Sequence, residues 1–467
     1  MKSFFVVVGL IAFVCVVCQF SALKAVRRYI FLKYSRVRLR DDLLIFCGLF
    51  VLNIFFAFVS MNPKWAPVDS QLQKIVAVSF FTYLGITLSL GIFLAILKSM
   101  ALISELAVAG YRIVLIMISG DLRGVTNDID RQNQAQTNDR KHTSEGSASP
   151  ASASDGKTGS KRSLLLEGIS LFRWSKFLSM SATWQKRARI TAIVILVLFS
   201  GFGIYGVIEA YSYPAIERFE IKDKKLSGLE KPLSFIHVTD IHYGMFYDKA
   251  ELEKLVEAIN RINADAVFFT GDIYHSALTN VESSVEVFRK LKPRKFGNLV
   301  VMGNHDFYTG EERSIRALEA SGLTLLRDDW RTIRDGAGVV HVAGLDDPKK
   351  NWLWGDKFPN FADLLGNAPE EKGYRILLSH RPAILPLASG HDFDLILAGH
   401  THGGQVIVPG INSGKGWSLA SFASYFTHGW YEHGRSRMYL NRGAGLTFMP
   451  WRINCSPEIA VFTLIPS

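Results

Sequence analysis

The chain has 467 residues, of which 48% are hydrophobic and 20% are charged, and its formal net charge at pH 7 is +11. All of this excess lies in residues 1–213, which carry 24 Lys and Arg against 12 Asp and Glu, whereas the remaining residues carry 29 against 30. Because the basic residues lie among long apolar runs, they indicate membrane topology, and no nucleic-acid partner is expected.

Residues 1–119 are predicted to form a multi-span transmembrane region. Three uncharged apolar runs are long enough to cross a bilayer, and they cover residues 3–23, 43–61 and 75–97. A fourth apolar run, 101–119, contains Glu105 and Arg112 and predicts a helix that lies in the membrane interface.

Residues 120–189 are predicted to be a disordered or basic linker in the cytoplasm. The Ser, Ala, Asp, Asn, Gln and Gly content of about 120–162 cannot form a core, and a basic amphipathic stretch follows. The next apolar run, 190–213, is long enough to span again. Basic residues follow the first span and precede this last one, which predicts that both of those segments face the cytoplasm. The sequence therefore predicts a multi-pass cell-membrane protein, in contact with membrane lipids, whose C-terminal domain (214–467) is extracytoplasmic.

The C-terminal domain is predicted to be an α/β sandwich. Its first three β-rich runs, "LSFIHVTDIH", "DAVFFTGD" and "NLVVMGNHD", alternate with helix-like segments at 248–262, 279–291 and 310–321, which favours βαβ units and a parallel sheet. Later runs are expected to form a second sheet, and they cover 339–347, 437–440 and 458–464. We expect four layers in the order αββα.

Polar residues follow five of the predicted strands, where ligand sites of α/β sheets form. The candidates are Asp240, His242, Asp272, Asn304, His305, Asp306, His380, His400 and His402. Oxygen and nitrogen donors without sulfur suit divalent Mn, Fe or Zn. Seven of these residues, all except His305 and Asp306, are candidate metal ligands. Seven ligands are too many for one tetrahedral ion, and they suit two ions that share a carboxylate.

These blocks resemble the signature of the calcineurin-like metallophosphoesterases. The signature consists of D-x-H (240–242), G-D (271–272), G-N-H-D (303–306), a later His and G-H-T-H (399–402). The extended "GHTHGGQ", the "GLDD" run and the "RINCSPEIAVFTL" ending resemble a membrane-anchored bacterial branch, which includes hydrolases similar to those that cleave UDP-2,3-diacylglucosamine. The resemblance covers roughly 232–467.

The resemblance implies a role for each residue. One metal would be held by Asp240, His242, Asp272 and His402. The other would be held by Asp272, Asn304, His380 and His400, so that Asp272 bridges the two. Two cations lower the pKa of a bridging water, and the resulting hydroxide would attack phosphorus. His305 would donate a proton to the leaving oxygen, with Asp306 orienting its ring.

Several positions stay open at the level of sequence. The family often has an acidic residue shortly after G-D, whereas this chain has "GDIYH", which ends at His275. Both His275 and His341 are expected to be ordinary surface or satisfied histidines. Asp346 and Asp347 either position a ligand or cap a turn. Three arginines either grip a phosphate or are solvated, namely Arg381, Arg442 and Arg452.

Two classes of function fit the sequence. The first is a membrane-anchored metal-dependent hydrolase that acts on a phosphorylated small molecule or on a lipid-linked or envelope phosphate. The second is a non-enzymatic scaffold or receptor that reuses the fold with a degraded site. Since no ligand of the signature is missing, we expect the hydrolase.

Overall fold

The computed structural model describes most of the C-terminal part of the chain. The described residues are 182–466 apart from 245, 278, 349–357, 411–415 and 448, together with Val78, Thr82 and Ile86. The predicted spans at 3–23 and 43–61, the interfacial helix at 101–119 and the linker up to residue 181 lie outside these residues. The predicted span at 75–97 is described only at three positions, which are helical.

The chain divides into two compact units. One contains residues 1–36 and 89–196, of which only 182–196 are described, and these are helical. The other contains 37–88 and 197–467 and carries all the strands of the described residues.

The first described helix, α1 (Ala182–Ala210), covers most of the predicted span at 190–213. Its segment Ile193–Ala210 has a mean hydropathy of 2.2 and is, among the described residues, the one stretch long and apolar enough to cross a membrane. The helix begins eight residues earlier than the predicted span. Residues 182–189, the end of the basic amphipathic stretch of the predicted linker, are therefore helical.

The remaining elements alternate as the β-rich runs predict. The other helices are α2 (Lys249–Arg261), α3 (Glu282–Phe288), α4 (Asn304–Ala320), α5 (Phe361–Gly366) and α6 (Leu385–Ala388). The strands are β1 (Ala215–Lys222), β2 (Leu233–Val238), β3 (Ala266–Thr270), β4 (Asn298–Val301), β5 (Thr324–Leu325), β6 (Asp329–Asp335), β7 (Gly338–Leu345), β8 (Tyr374–Ser379), β9 (Leu395–Ala398), β10 (Ile407–Val408), β11 (Trp417–Ser418), β12 (Gly429–His433), β13 (Ser436–Leu440) and β14 (Glu458–Ile465).

Two six-stranded sheets form the domain, in the orders β1-β14-β2-β3-β4-β5 and β12-β13-β9-β8-β7-β6. Strands β2 to β5 are parallel and connected through α2, α3 and α4, which confirms the predicted βαβ units. The predicted second sheet is confirmed for 339–347 and 437–440 and is wrong for 458–464. That run forms β14, which lies between β1 and β2 in the first sheet. Its apolar pattern suits either sheet, because the strands of both are buried.

Three buried apolar clusters separate four layers in the predicted order αββα. Alternate residues of a strand point to opposite faces, so Val267 and Phe269 pack under α2 to α4, whereas Phe268 packs between the sheets. In the second sheet, Leu378 lies between the sheets, and Leu377 faces α5 and α6 on the outside. The carboxyl ends of the parallel strands of both sheets are thereby left to face a common edge.

Helix α4 begins at Asn304 and not near residue 310, as the sequence pattern predicts. Gly310 interrupts it with φ 116° and ψ 110°, which hides the first turn from an analysis of helical periodicity. The Asp306 carboxylate accepts a hydrogen bond from the Gly303 N–H at 2.9 Å and stabilises that first turn. The G-N-H-D block therefore lies at the N-terminus of a helix.

The loop before β14 connects the sandwich to α1. The Trp451 indole N–H donates to the Gly203 carbonyl at 2.6 Å, and the Arg452 backbone N–H donates to the Gly206 carbonyl at 2.9 Å. The fully buried Arg452 guanidinium donates to four backbone carbonyls, which belong to Arg442, Gly443, Gly445 and Cys455. The expectation that Arg452 grips a phosphate or is solvated is wrong, because it fastens this loop.

We expect Arg452→Lys to destabilise the domain by about 3 kcal/mol or more, because one ammonium group cannot serve four buried carbonyls. Chemical unfolding of the purified full-length protein in detergent measures the change. The matched control is Arg435→Lys, at an exposed residue that pairs with Asp392 on the surface. Equal stability of the two variants would contradict the role assigned to Arg452.

Candidate metal centre

The seven predicted ligands lie at the carboxyl ends of strands from both sheets. They follow strands of the first sheet (Asp240 and His242 after β2, Asp272 after β3, Asn304 after β4) and of the second sheet (His380 after β8, His400 and His402 after β9). Neither sheet alone supplies a full ligand set. Packing of the two sheets is therefore what brings the donors together.

Asp240, His242 and His402 form a first donor group. One ligand atom from each lies within 4.8 Å of the others. The Nε2 atoms of His242 and His402 are 2.9 Å apart, and Asp240 Oδ1 is 3.2 Å from His402 Nε2. Two imidazole nitrogens at this distance share at most one proton, so the group has spare lone pairs for a cation.

Asp272, His380 and His400 form a second donor group with the same spacing. His380 Nε2 lies 3.1 Å from Asp272 Oδ2 and 3.1 Å from His400 Nδ1. The other ring nitrogen of His380 lies 2.9 Å from the Thr270 carbonyl and donates to it, which leaves Nε2 as a potential ligand atom. Asp272 Oδ2 is also 3.5 Å from His242 Nε2 of the first group. This carboxylate therefore lies between the two groups, where a bridging ligand belongs.

Two buried polar atoms next to these groups have no hydrogen-bond partner in the described part of the chain. They are Asn304 Oδ1 and His402 Nδ1. Leaving a buried donor or acceptor unsatisfied costs roughly 1–3 kcal/mol, so such atoms call for an additional partner. The amide oxygen of Asn304 is a ligand type that divalent cations accept, and the donor set fits the predicted pair of ions.

The charges of the centre are arranged around the Asp272 carboxylate. Burial opposes protonation of His380, but Asp272 and Asp240 outweigh it and raise the pKa of His380 to about 10. Burial lowers the pKa of His400 to about 3, and the positive charge of His380 lowers it further. Burial also holds the pKa of His242 well below its usual value. The centre thus combines neutral imidazoles with one proton that a cation must displace.

The backbone at the centre is held in an unfavourable conformation. Nine non-glycine residues of the described chain have positive φ, and five of them are predicted ligands, namely Asp240, His242, Asp272, His400 and His402. Such conformations cost about 1–2 kcal/mol each and persist where the surrounding structure imposes them. Ordinary turn residues do not explain this concentration, which favours a ligand site.

Two glycines allow the motif backbones to approach the carboxylates. A Cβ at Gly303 would overlap Asp272 Oδ1, and a Cβ at Gly399 would overlap Asp240 Oδ2. The neighbouring amides use this space, since the His305 N–H donates to Asp272 Oδ1 at 2.8 Å. The His400 N–H likewise donates to Asp240 Oδ2 at 2.9 Å. The glycines of the motifs are thus needed for close packing around the carboxylates.

His305 lies beside the first donor group, with its ring centroid 4.6 Å from that of His242. Its Nδ1 atom lies 2.6 Å from the His275 carbonyl and donates to it. Asp306 instead accepts hydrogen bonds from the backbone N–H groups of Gly303 and Tyr274. The prediction that Asp306 orients the His305 ring is therefore wrong, because the carboxylate organises the backbone on either side of the centre.

His275 is not the ordinary surface histidine that the sequence favours. Its Nδ1 lies 3.3 Å from His242 Nδ1, and its ring stacks on that of His305 at 5.5 Å. Ligating histidines usually donate their second ring N–H to an acceptor, and His275 is positioned to be that acceptor for His242. The only sequence signal was the missing acidic residue in "GDIYH". His341 is satisfied, as expected, by Thr332 and the Glu371 carbonyl.

The remaining charged candidates pair with each other. Arg381 is buried and contacts both oxygens of Asp347, at 2.5 and 3.1 Å, so it is not solvated. Arg327 pairs in the same way with Asp346 at 2.8 Å. Arg442 pairs with Glu458 and Glu217 and is partly buried. Arg381 is the neighbour of His380 in the chain, and no sequence motif indicates its pairing with Asp347.

Divalent cations should stabilise the protein, because they would satisfy the unpaired donors. At a concentration of about 100 times Kd, binding adds about 2.7 kcal/mol, or roughly 5 °C in Tm, and EDTA should remove this gain. Because a proton on His380 competes, cation affinity should rise as pH rises toward its pKa of about 10. Differential scanning fluorimetry measures the shift.

The control for this measurement is another histidine. His400→Ala should reduce the cation-dependent shift, whereas His433→Ala, at an exposed residue of β12, should retain it. An unchanged Tm with Mn²⁺, Fe²⁺ and Zn²⁺ would contradict the assignment of these donors.

His275→Ala should weaken cation affinity about 10- to 100-fold, because His242 loses the acceptor that fixes its ring. Chelator competition measures the affinity directly. The backbone carbonyl that binds His305 remains in every variant at this position. His275→Gln keeps a side-chain acceptor and should retain most of the affinity; equal losses in the two variants would argue against this role.

Comparison with known proteins identifies the domain. Residues 233–404 match the family model of the calcineurin-like phosphoesterases. An uncharacterized metallophosphoesterase of Helicobacter pylori is 31% identical over 261 residues, which cover 54% of this chain and 66% of that protein. The metallophosphoesterase YkuE of Bacillus subtilis is 29% identical over 56% of this chain and 90% of that protein.

A further relative comes from Danio rerio. It is named a transmembrane protein with metallophosphoesterase domain, and it is 28% identical over 58% of this chain and 62% of that protein. The matched region is thus slightly less than two thirds of the Helicobacter and Danio proteins. The part that matches the family model, 233–404, contains all seven predicted metal ligands. Residues 233–404 of the chain therefore form a domain of the calcineurin-like phosphoesterases.

Proposed function

We propose that this chain is a membrane-anchored dimetal hydrolase of phosphoester or pyrophosphate bonds. The observation that carries the proposal is the position of Asp272, whose Oδ2 atom lies 3.1 Å from His380 Nε2 and 3.5 Å from His242 Nε2. A carboxylate between two donor groups suits the shared ligand of a two-metal site. The donor set indicates Mn, Fe or Zn without deciding between them.

Two bound divalent cations would lower the pKa of a water molecule between them and neutralise phosphoryl oxygens. Residues of the chain would supply the remaining requirements. Asn304 contributes a neutral oxygen, which limits the negative charge that an anionic substrate meets. The hydrogen bonds from the His305 and His400 amides hold the Asp272 and Asp240 carboxylates in fixed orientations.

His305 is the proposed general acid. Because its Nδ1–H donates to the His275 carbonyl, its Nε2 atom remains for contact with the leaving oxygen. A protonated imidazole at that point would donate a proton as the bond to phosphorus breaks. Asp306 is not part of this step; it holds the backbone N–H groups of Gly303 and Tyr274.

The membrane anchor is part of the proposal. Two observations support a membrane anchor. The apolar segment Ile193–Ala210 lies directly before the domain, and the Danio rerio relative is named a transmembrane protein. The distribution of Lys and Arg supports an extracytoplasmic domain, with residues 1–119 and 190–213 as transmembrane regions and 120–189 as a cytoplasmic linker. This side favours lipid-linked or envelope phosphates. It disfavours a nucleotide-lipid such as UDP-2,3-diacylglucosamine, which would require cytoplasmic access.

A scaffold without activity is the alternative. A degraded site normally lacks ligands, whereas all seven predicted metal ligands are present in this chain. The strained backbone at five of them also favours a retained chemical function, because such strain clusters at functional sites. Nothing in the described structure favours the scaffold.

The purified full-length protein should hydrolyse p-nitrophenyl phosphate or its bis ester with a divalent cation and lose this activity with EDTA. Asp272→Asn should lower kcat by about a thousandfold or more, since both cations lose their shared ligand. His305→Ala should lower kcat by about 10²- to 10⁴-fold with unchanged metal content, as expected for a general acid.

The matched control is Asp392→Asn, at an exposed carboxylate that pairs with Arg435. It should leave kcat unchanged. Full activity of Asp272→Asn would contradict the proposal, and so would a wild-type protein that binds cations and hydrolyses neither ester.

A further inference from the structure

A group of exposed apolar side chains lies on the segment that follows the metal-ligand loop. Among the described residues, Phe422 and Tyr425 are the most exposed large apolar side chains, at 81% and 86%. Leu419 and Val408 are also exposed, at 44% and 41%. We call these four residues the apolar rim. Single exposed apolar residues are common, but a group that includes two aromatic rings on one segment indicates an interaction site.

The rim is attached directly to the metal-ligand loop. The Thr401 hydroxyl, between His400 and His402, donates to the Thr427 carbonyl at 2.6 Å. The Ser418 hydroxyl donates to the Gly403 carbonyl at 2.7 Å, and the Leu419 N–H donates to the Val406 carbonyl at 3.0 Å. The segment that carries the rim is therefore fixed directly to the loop of His400 and His402.

The base of the rim also adjoins the end of α1. The Ile407 N–H donates to the Ile453 carbonyl at 2.9 Å, and the preceding residue, Arg452, donates its N–H to the Gly206 carbonyl of α1 at 2.9 Å. Near this point α1 itself exposes large apolar side chains, among them Val197, Leu198, Phe202, Ile204 and Ile208. The segment that carries the rim is thus connected, through residues 452 and 453, to the helix that is proposed to enter the membrane.

The connection between the helix and the sandwich is too short to hold the domain away from a bilayer. Helix α1 ends at Ala210 and β1 begins at Ala215, so four residues connect them. Fully extended, four residues reach about 14 Å. Two of them, Tyr211 and Tyr213, are of the type that is enriched at membrane–water interfaces.

The charge of the rim segment also suits a bilayer. Residues 405–427 contain no Asp or Glu, so anionic headgroups meet no repulsion there. Aromatic and aliphatic side chains at the edge of such a segment bury themselves at the boundary of headgroups and acyl chains.

We propose that the apolar rim docks on the bilayer that α1 enters and presents the metal centre to phosphate groups borne by lipids. This inference rests on the proposed function, and it narrows the substrate class to a phosphoester whose leaving group or phosphoryl group remains in the membrane. The hydrolytic step is the one proposed above, with water as the second reactant. Confinement to the surface raises the local concentration of such a substrate.

Photo-crosslinking tests the docking independently of activity. The full-length protein, with a benzophenone side chain at position 422, is reconstituted in vesicles of phosphatidylglycerol and phosphatidylethanolamine and irradiated. The matched control has the same group at position 387, because Leu387 of α6 is exposed to 42% and lies outside the rim. We expect at least about fivefold more crosslinked phospholipid at 422 than at 387, as burial in the interface requires. Equal labelling, or crosslinking of position 422 to a second copy of the chain, would overturn the proposal.

Kinetics test the substrate class. Phe422→Ser combined with Tyr425→Ser should lower kcat/KM about tenfold for phosphatidic acid in vesicles and leave kcat/KM for p-nitrophenyl phosphate unchanged, whereas Leu387→Ser should change neither. An equal loss for both substrates, or a wild-type protein active only on the soluble ester, would also overturn the proposal. Lipid crosslinking without hydrolysis of any ester would instead refute the proposed function and support the docking.

Discussion

Much of the domain's structure follows from one electrostatic constraint, the placement of the Asp272 carboxylate between two sets of imidazole nitrogens. Its Oδ2 atom is shared by His380 and His242, and its Oδ1 atom accepts the His305 amide. Protonation of His242 and His400 is disfavoured, because desolvation lowers the pKa of both rings. Cations between the donors would use the lone pairs that remain.

The fold supports this constraint at a cost in backbone strain. Five ligands have positive φ, and glycines occupy the positions where a Cβ would overlap the two carboxylates. Hydrogen bonds between the ends of neighbouring strands hold these turns, as between the His242 N–H and the Asp272 carbonyl at 2.9 Å. The Arg452 guanidinium holds the neighbouring loop, because it donates hydrogen bonds to the carbonyls of Gly443 and Gly445. The centre is therefore positioned by backbone contacts from both sheets, and the ligand side chains have little freedom to rearrange.

The sequence predicted the parts of this structure that depend on local patterns. Strands that end in polar blocks, the βαβ units and the four layers all followed from alternating apolar runs, and the motif order indicated which strand ends would meet. The place of β14 in the first sheet could not be predicted, because both sheets bury apolar strands and strand order depends on long-range pairing. The start of α4 at Asn304 was missed because Gly310 breaks the helical periodicity.

Contacts between side chains far apart in the sequence were the least predictable. His275 contacts His242, 33 positions away, and Arg381 contacts Asp347, 34 positions away. No motif connects either pair. The most direct test of the central claim is anomalous diffraction from crystals of the protein grown with Mn²⁺. The account predicts two anomalous peaks, one in each donor group, with Asp272 in contact with both. A single peak, or peaks elsewhere with none at Asp272, would contradict the account.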